Sequence, residues 1–427
     1  MDFLYNILIS VLGLVATPFL LLKSFMDPAF RGEWIDRLKG GDKVPLQPNC
    51  VWVHAASVGE IRVAKILIAA LRVGESSRKI VLSAFTRTGY FLAKQESSVP
   101  VFRLPPDLPF LVRPLMIRLQ PALLVLIEAE LWPCLLRQCL HRNIPVVLVN
   151  GRMTEKAFGN YARVGWFFRW MTEGITVFSM RSEADAKRIL DLGISPKRVR
   201  VTGNIKFDLL TASADPDRAS EAPSVGNPIA VFGSTRPGDE GPVMEAILKL
   251  KEEFPDLSFI IAPRHIERCQ EVDQLVRSFG MEPLLHSRNP DRVPRPGEIL
   301  LLDRLGLLNH YYARAVVAFV GGGFNPRFGG QNILEPAALG VPVVFGPHMN
   351  NFEEEARLLS QSGGGVQLKN TAGLYPALRQ LVADPEERNR RSEAARQTVA
   401  QNRGAVEKNV QFIESQLPKP SREPNPQ

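Results

Sequence analysis

Residues 51–72 read VWVHAASVGEIRVAKILIAALR, and this stretch decides the fold class. Its first four residues form an apolar run that is typical of a buried β-strand. A short segment follows in which Gly59 allows a tight turn, and from residue 61 the apolar residues take helical spacing. A buried strand that leads directly into a helix is the unit of a parallel α/β sheet, so this stretch predicts a Rossmann-like domain.

The same alternation continues along the chain in two series. Further strand candidates of the first series lie at residues 80–84, 123–128, 146–150, 175–179 and 199–202. Those of the second series lie at residues 229–233, 259–262, 299–303, 316–320, 341–345 and 366–368. Two such series predict two doubly wound α/β domains that face each other across a cleft, with ligands bound at the carboxyl ends of the strands.

Composition sets the domain boundaries. Residues 211–228 (TASADPDRASEAPSVGNP) interrupt the alternation with Pro, Ser, Ala and Asp, as an interdomain linker does. We therefore predict an N-terminal domain at residues 27–210 and a C-terminal domain at residues 229–417. We also predict a membrane anchor at residues 1–26, before the first domain, and a disordered tail at residues 418–427.

The anchor is predicted from residues 3–22, FLYNILISVLGLVATPFLLL, which carry no charge and match about one bilayer span. Basic residues follow from Lys23 onward, so the positive-inside rule places the body of the protein in the cytoplasm. Asn6 and Pro18 weaken the span, and the alternative is a helix that lies in the membrane interface or packs on the body. Both alternatives predict a membrane-associated protein.

Charge is distributed unevenly along the 427 residues, of which 45% are hydrophobic and 22% charged. Residues 1–210 carry a net charge of +11 and the remainder −3. The first half is therefore expected to meet an anionic membrane surface or a phosphorylated substrate, and nucleic acid is not favoured because aromatic RNA-binding motifs and zinc fingers are absent. Four cysteines without a C-x-x-C pair and six histidines without metal-binding spacing predict no metal site.

Three polar residues of the first half follow predicted strands. Glu60 begins a helix, where the helix dipole favours its ionised form, so it is a candidate general base. The alternative is a helix cap, because Ser57 and Glu60 match the S-x-x-E capping box. Glu128 follows five apolar residues, so it either reaches the cleft or pairs with a cation, for which Lys206 is the candidate. The alternative for this pair is a structural bridge at the domain hinge.

The second half offers groups that suit a phosphate. Arg264 follows a predicted strand and presents a fork of donors. Glycines at 321–323 and 329–330 precede Asn332, and glycines before a helix let a phosphate approach backbone N–H groups. Glu335, in the first turn, is a candidate acceptor for ribose hydroxyls. The alternative is that these glycines only form tight turns, and neither a G-x-G-x-x-G fingerprint nor a Walker A motif is present.

Seven motifs occur in this order along the chain: VHAASVGE (53–60), LIEAELWP (126–133), GNIKFD (203–208), APRH (262–265), VGGGF (320–324), GGQNILEP (329–336) and FGPHMNNF (345–352). Together they resemble the 3-deoxy-D-manno-octulosonic acid (Kdo) transferase family over nearly the whole chain. The resemblance implies a GT-B fold of two Rossmann-like domains. It also implies transfer of Kdo from CMP-Kdo to the lipid A precursor (lipid IVA) at the cytoplasmic face of the bacterial inner membrane, in lipopolysaccharide biosynthesis.

The resemblance also implies roles for individual residues. Glu60 is the implied catalytic base, and Glu128 and Lys206 are the implied transition-state stabilisers. The implied CMP contacts are Pro263, Arg264, Leu305, Gly306, Leu307, Asn332, Ile333, Leu334 and Glu335. Two positions differ from many relatives: Leu307 stands where they have an acidic residue, and Gln331 stands where they have a histidine. The expected mechanism is a direct displacement with inversion. It uses no metal or other cofactor, and CMP-Kdo counts as the donor substrate.

Two other functions stay open from the residues. One is a GT-B enzyme that uses another nucleotide sugar, such as an epimerase-like or N-acetylglucosaminyl enzyme, with a different donor pocket. The other is a non-catalytic, membrane-bound protein that binds a sugar nucleotide and tolerates the loss of Glu60.

Overall fold

The computed structural model describes residues 1–27, 31–32, 34, 37, 46–74, 78–210, 226–290 and 292–417. Most of the predicted linker and the whole predicted tail at 418–427 lie outside the described residues. The chain divides into two units. Unit 1 comprises Met1–Leu209 together with Arg403–Gln427, and unit 2 comprises Leu210–Asn402.

Unit 1 contains a seven-stranded parallel sheet with strand order β3-β2-β1-β4-β5-β6-β7. Its strands are β1 (Val51–His54), β2 (Ile80–Ala84), β3 (Val101–Arg103), β4 (Leu123–Ile127), β5 (Val146–Gly151), β6 (Ile175–Met180) and β7 (Val199–Val201). Its helices are α1 (Asp2–Met26), α2 (Val58–Gly74), α3 (Arg87–Glu96), α4 (Pro109–Leu119), α5 (Pro133–His141), α6 (Glu155–Arg163), α7 (Gly165–Met171) and α8 (Glu183–Asp191). Every residue of the central strands β1, β4 and β5 is buried, which explains their continuous apolar runs.

Unit 2 repeats this architecture with strand order β10-β11-β9-β8-β12-β13-β14, again all parallel. Its strands are β8 (Ile229–Thr235), β9 (Ser258–Pro263), β10 (Pro283–Leu285), β11 (Ile299–Leu301), β12 (Ala315–Val320), β13 (Val343–Phe345) and β14 (Gly365–Gln367). Its helices are α9 (Glu240–Glu253), α10 (Cys269–Ser278), α11 (Leu308–Tyr312), α12 (Leu334–Ala338), α13 (Glu353–Ser362), α14 (Leu374–Ala383) and α15 (Pro385–Gln401). Two Rossmann-like sheets are thus confirmed.

The last helix, α16 (Ala405–Gln416), differs from the prediction because it belongs to unit 1. The Asp208 carboxylate accepts hydrogen bonds from the backbone N–H groups of Gly404 and Val406, at 2.8 and 2.7 Å, and so holds the start of this helix. The buried Asn409 amide lies within hydrogen-bond distance of the Ser179 and Thr202 hydroxyls. The predicted second domain at 229–417 therefore ends earlier, at Asn402, because these polar contacts bind the chain end to the first sheet.

Helix α1 is long and apolar enough to cross a membrane, and it is the one such helix among the described residues. Its first three turns pack along unit 1. Asp2 accepts hydrogen bonds from Arg137, at 3.0 Å, and from the Trp170 indole, at 2.7 Å. The Tyr5 ring contacts the Trp170 ring in a tilted arrangement, with ring centroids 5.1 Å apart, and Ile9 packs on the same core. This packing agrees with the alternative in which the helix lies on the body.

Candidate functional site

In unit 1 the candidate site begins with Glu60, in the first turn of α2. One carboxylate oxygen accepts the Ala56 N–H at 2.7 Å, and the other accepts the Ser57 hydroxyl, also at 2.7 Å. The Ser57 hydroxyl in turn accepts the Glu60 N–H at 3.4 Å. The helix-cap interpretation of Ser57 and Glu60 is therefore confirmed. A cap does not exclude proton transfer, because both carboxylate oxygens keep lone pairs for a substrate hydroxyl.

Burial raises the pKa of Glu60 to about 7, although hydrogen bonds from Ser57 and Ala56 lower it. The negative charges of Glu130 and Glu128 raise it further. The net shift in the pKa of Glu60 is therefore opposite to the one that the helix dipole alone would produce, because burial is its largest cause. A pKa near the working pH is the value that suits a general base.

Glu128 and Lys206 lie at the same edge of the first sheet. Glu128 directly follows β4, is half-buried and takes a left-handed backbone conformation, with φ 63°. Lys206 lies in a 3₁₀ segment, Ile205–Leu210, whose first N–H donates to the Asn150 side chain at 3.0 Å. Because Asn150 belongs to β5, which pairs with β4, this hydrogen bond places the Lys206 segment at the edge where Glu128 emerges. Their proposed catalytic roles stay predictions.

Sequence reasoning missed the partners of Glu130. The Trp132 indole donates to its carboxylate at 3.0 Å, and the buried His54 Nε2 lies 3.6 Å from the same oxygen. The Ser83 hydroxyl accepts from Trp52 at 2.7 Å and lies 2.8 Å from His54 Nδ1. If Ser83 donates to Nδ1, the imidazole proton sits on Nε2 and faces Glu130. The sequence signal for this cluster is Glu130 itself, a second carboxylate two residues after Glu128.

In unit 2 Arg236 and Arg264 directly follow the carboxyl ends of the neighbouring strands β8 and β9. Thr235, at the end of β8, pairs with Pro263, at the end of β9, and the Arg264 N–H donates to the Thr235 carbonyl at 3.0 Å. Arg264 donates through Nε to Gln331 at 3.1 Å. Arg236 donates to the His265 ring at 2.7 Å. Burial lowers the pKa of Arg236 from its ordinary value, and the adjacent positive charges of Arg264 and Arg268 lower it further.

The glycine loop after β12 is held by Asp239. This buried carboxylate accepts the N–H groups of Gly322 and Arg236, each at 2.7 Å, and burial raises its pKa to about 6. Gly322 takes a φ of 78°, which a side chain disfavours. Gly323 packs so closely on Gly346, after β13, that neither position has space for a Cβ atom. Backbone packing alone therefore requires glycine here, as the tight-turn alternative predicts.

The remaining predicted CMP-binding residues occupy two segments at this edge of the sheet. Asn332 accepts the Leu334 N–H at 3.2 Å and donates to Glu335 at 3.0 Å, at the start of α12. The side chains of Ile333 and Leu334 are fully buried, so these two residues offer a ligand only backbone groups. Residues 305–307 follow β11, which pairs with β9, and Gly306 takes a φ of 89°. The structure therefore brings the predicted segments to the carboxyl ends of adjacent strands.

Comparisons with known proteins agree with this architecture. Residues 32–209 match the family model described as 3-deoxy-D-manno-octulosonic-acid transferase (kdotransferase). The 3-deoxy-D-manno-octulosonic acid transferase of Haemophilus influenzae is 30% identical over 424 residues, 97% of this chain and 98% of that protein. The enzyme of the same name from Bordetella pertussis is 32% identical over 381 residues, 86% of this chain and 87% of that protein.

Solved structures of lower identity share the fold. The UDP-GlcNAc 2-epimerase of Neisseria meningitidis superposes with a TM-score of 0.61 at 14% identity, over 86% of this chain and 99% of that one. A glycosyltransferase from Rickettsia africae gives a TM-score of 0.58 at 13% identity, over 87% and 99%. With its two parallel α/β units and these full-length relatives, the chain belongs to the Kdo transferase family and is a glycosyltransferase of the GT-B fold class.

Proposed function

We propose that the protein transfers Kdo from CMP-Kdo to a lipid A precursor, lipid IVA, with inversion at the anomeric carbon. The observation that carries the proposal is Glu60, a buried carboxylate with a pKa of about 7 at the end of a sheet in a Kdo transferase chain. A base with this pKa is ionised in part at neutral pH and binds a proton readily.

In the proposed reaction Glu60 removes the proton from an acceptor sugar hydroxyl. The hydroxyl oxygen forms a bond to the anomeric carbon of Kdo as the bond from that carbon to the phosphate oxygen breaks. CMP leaves as an anion with the bonding electron pair, and Arg264 together with the backbone at 332–335 stabilises its charge. This stabilisation replaces a general acid. Glu128 and Lys206 act on the charge that develops at the sugar, and no metal or other cofactor takes part.

The proposed activity is tested by supplying both substrates. Incubation with CMP-Kdo and lipid IVA should raise the mass of the lipid by one or more Kdo residues, as measured by mass spectrometry. A parallel incubation with UDP-N-acetylglucosamine should leave the lipid unchanged. Modification of the lipid by the UDP sugar alone would favour the GT-B alternative with another donor, and modification by neither sugar would favour the non-catalytic binder.

We infer that α1 anchors the protein to the cytoplasmic leaflet of the bacterial inner membrane while lying along its surface. The inner face of α1 consists of Asp2, Tyr5 and Ile9, which contact unit 1. We define the outer face of α1 as the row of Leu4, Leu8, Val11 and Val15, which are 50–71% exposed. Phe3, Leu12 and Leu14 beside this row are exposed as well. An exposed apolar face beside a basic domain of net charge +11 is what an anionic leaflet attracts.

Replacing all four residues of the outer face with glutamine should lower binding to anionic vesicles at least about 100-fold, because each buried aliphatic side chain contributes about 1.5–3 kcal/mol. Vesicle sedimentation measures the effect. The residual binding should weaken as salt rises, since the charge attraction is screened beyond about 8–10 Å. Val73→Gln, at an exposed valine of α2, is the matched control and should bind like the unmodified protein. Unchanged binding of the four-residue variant would contradict the proposed anchor.

A further inference from the structure

The two arginines at the carboxyl edge of the second sheet have a spacing set by the sheet itself. Thr235 and Pro263 are paired positions of β8 and β9, and Arg236 and Arg264 are the residues that follow them. Neighbouring strands lie about 4.8 Å apart. The two side chains therefore start from backbone positions separated by about one strand spacing.

Neither guanidinium is neutralised by an ion pair in the ranges that the structure describes. Arg264 donates to the uncharged Gln331 amide, and Arg236 donates to His265 and lies over the Phe328 ring, with 5.1 Å from its Cζ to the ring centroid. Arg268, the next arginine along the chain, contrasts with both because Glu240 and Glu271 pair with it. Two unpaired cations on adjacent strands repel each other and create a site for anionic groups.

A second polar group marks the same position. The Thr235 hydroxyl is fully buried and has no hydrogen-bond partner among the described residues, which is costly unless a ligand or water supplies one. The Nε atom of Arg236 is likewise buried without a partner there. The Arg236 backbone itself is fixed, because its N–H donates to the Asp239 carboxylate. Asp239 thus fixes the Arg236 backbone without forming an ion pair with the guanidinium among the described residues, although its negative charge raises the pKa of Arg236.

We propose that Arg236 binds the carboxylate of the donor sugar, while Arg264 binds the phosphate of the same donor. The proposal rests on the proposed function, in which the donor is CMP-Kdo. In that donor the sugar carboxylate and the phosphate oxygen are attached to the same anomeric carbon. Two anionic groups so close together match two guanidinium groups that leave adjacent strands, and the planar fork of an arginine suits a carboxylate.

The assignment makes Arg236 a specificity residue. A nucleotide sugar without a carboxylate beside its anomeric carbon leaves one cation of the pair without an anion. A nucleotide-activated hexose is thus disfavoured even where its nucleotide fits, because its binding leaves the Arg236 guanidinium without an anionic partner. Arg236 also fixes the sugar relative to the phosphate, since the two groups bind to neighbouring strands of one sheet.

The test compares two constants in each variant: the KM for CMP-Kdo and the inhibition constant of CMP, which lacks the sugar carboxylate. Arg236→Ala should raise the KM about 10- to 100-fold, as expected for the loss of one charge-assisted hydrogen-bonded pair, and change CMP inhibition less than about threefold. Arg264→Ala should weaken both. Arg236→Lys, which keeps the charge and loses the fork, should fall between Arg236→Ala and the unmodified protein.

Controls separate a folding defect and a failed premise from a failed proposal. Arg357→Ala removes an exposed cation on α13 that donates to the Gln361 side chain of the same helix, and it should leave both constants unchanged. Thermal unfolding of each variant verifies that it is folded. If Arg236→Ala weakens CMP-Kdo binding and CMP inhibition equally, Arg236 binds the phosphate. If it changes neither constant, the role of Arg236 is structural. Each of these results overturns the proposal, provided that the unmodified protein transfers Kdo. Absence of Kdo transfer by the unmodified protein would overturn the proposed function and this proposal together.

Discussion

Glu60→Gln is expected to lower turnover by about 10²- to 10⁴-fold, the usual contribution of a general base. Glutamine keeps a side-chain carbonyl that accepts the Ala56 N–H and an amide that donates to Ser57, so the start of α2 is preserved. The glutamine side chain cannot take up the proton of the lipid hydroxyl. Initial rates with CMP-Kdo and lipid IVA measure the effect, and CMP binding by calorimetry should be unchanged. Turnover close to that of the unmodified protein would refute the base assignment.

The matched control is Glu96→Gln. Glu96 is an exposed glutamate of unit 1 that pairs with Lys65, and surface ion pairs of this kind contribute about 0–1 kcal/mol. The control should keep its turnover and its thermal stability. A comparable loss of turnover in this variant would show that the Glu60 effect reports damage to unit 1 rather than missing proton transfer.

The pKa of Glu60 gives this prediction a pH dependence. A base acts only when ionised, so kcat/KM of the unmodified enzyme should fall as the pH drops below about 7. The residual activity of Glu60→Gln should lack that acidic limb. A profile of the unmodified enzyme that is flat between about pH 6 and 8 would contradict a base with the raised pKa.

Stability should respond to Glu60 in the opposite sense to activity. Its pKa in the folded protein, about 7, lies above the ordinary value of 4.5, so folding favours the protonated form. This contribution is fully present below pH 4.5 and is lost as the pH rises through 7. Glu60→Gln should therefore unfold at a higher temperature than the unmodified protein above pH 7, with the difference shrinking toward pH 4.5.

The sheets could be predicted because their central strands are buried on both faces. Each residue of β1 and β4 is buried, which produces apolar runs that stand out in the sequence. The edge strands β3 and β10 have only three residues each and were not predicted. A three-residue strand shows no period of its own. Length alone does not explain the two missing strands, because β7 and β14 also have three residues and lie at or within one residue of predicted strands.

The return of α16 to unit 1 could not be read from local sequence. It depends on Asp208 capping a helix that begins almost two hundred residues later. The position of Glu60 was predictable because the S-x-x-E pattern is local, whereas its pKa was not, since burial is set by the whole sheet. The role of Arg236 could not be predicted for a related reason, because only the register of β8 and β9 places it beside Arg264.

Gly346→Ala is expected to disrupt unit 2 more than any conservative surface change. A Cβ atom on Gly346 would lie 2.5 Å from the Gly323 carbonyl oxygen and 2.8 Å from the Phe324 nitrogen, and it would also overlap the Gly323 carbonyl carbon. These are backbone atoms, so no side-chain rotation relieves the overlap. Either the segment after β12 or the segment after β13 must move, at a cost of about 2–4 kcal/mol.

The same movement should weaken donor binding. Gly323 adjoins Gly322, whose N–H the Asp239 carboxylate accepts, and that carboxylate also holds the Arg236 backbone. A shift of the glycine loop therefore displaces the proposed donor site as well as destabilising unit 2. We expect Gly346→Ala to lower the affinity for CMP at least about tenfold, equivalent to 1.4 kcal/mol.

Gly241→Ala is the control, because a Cβ there meets nothing within 4 Å, and alanine in a helix is neutral or stabilising by up to about 1 kcal/mol. Thermal unfolding and calorimetry with CMP measure both effects. Equal unfolding temperatures for the two variants would show that the loop absorbs the extra atom, and that its close packing does not hold the donor site.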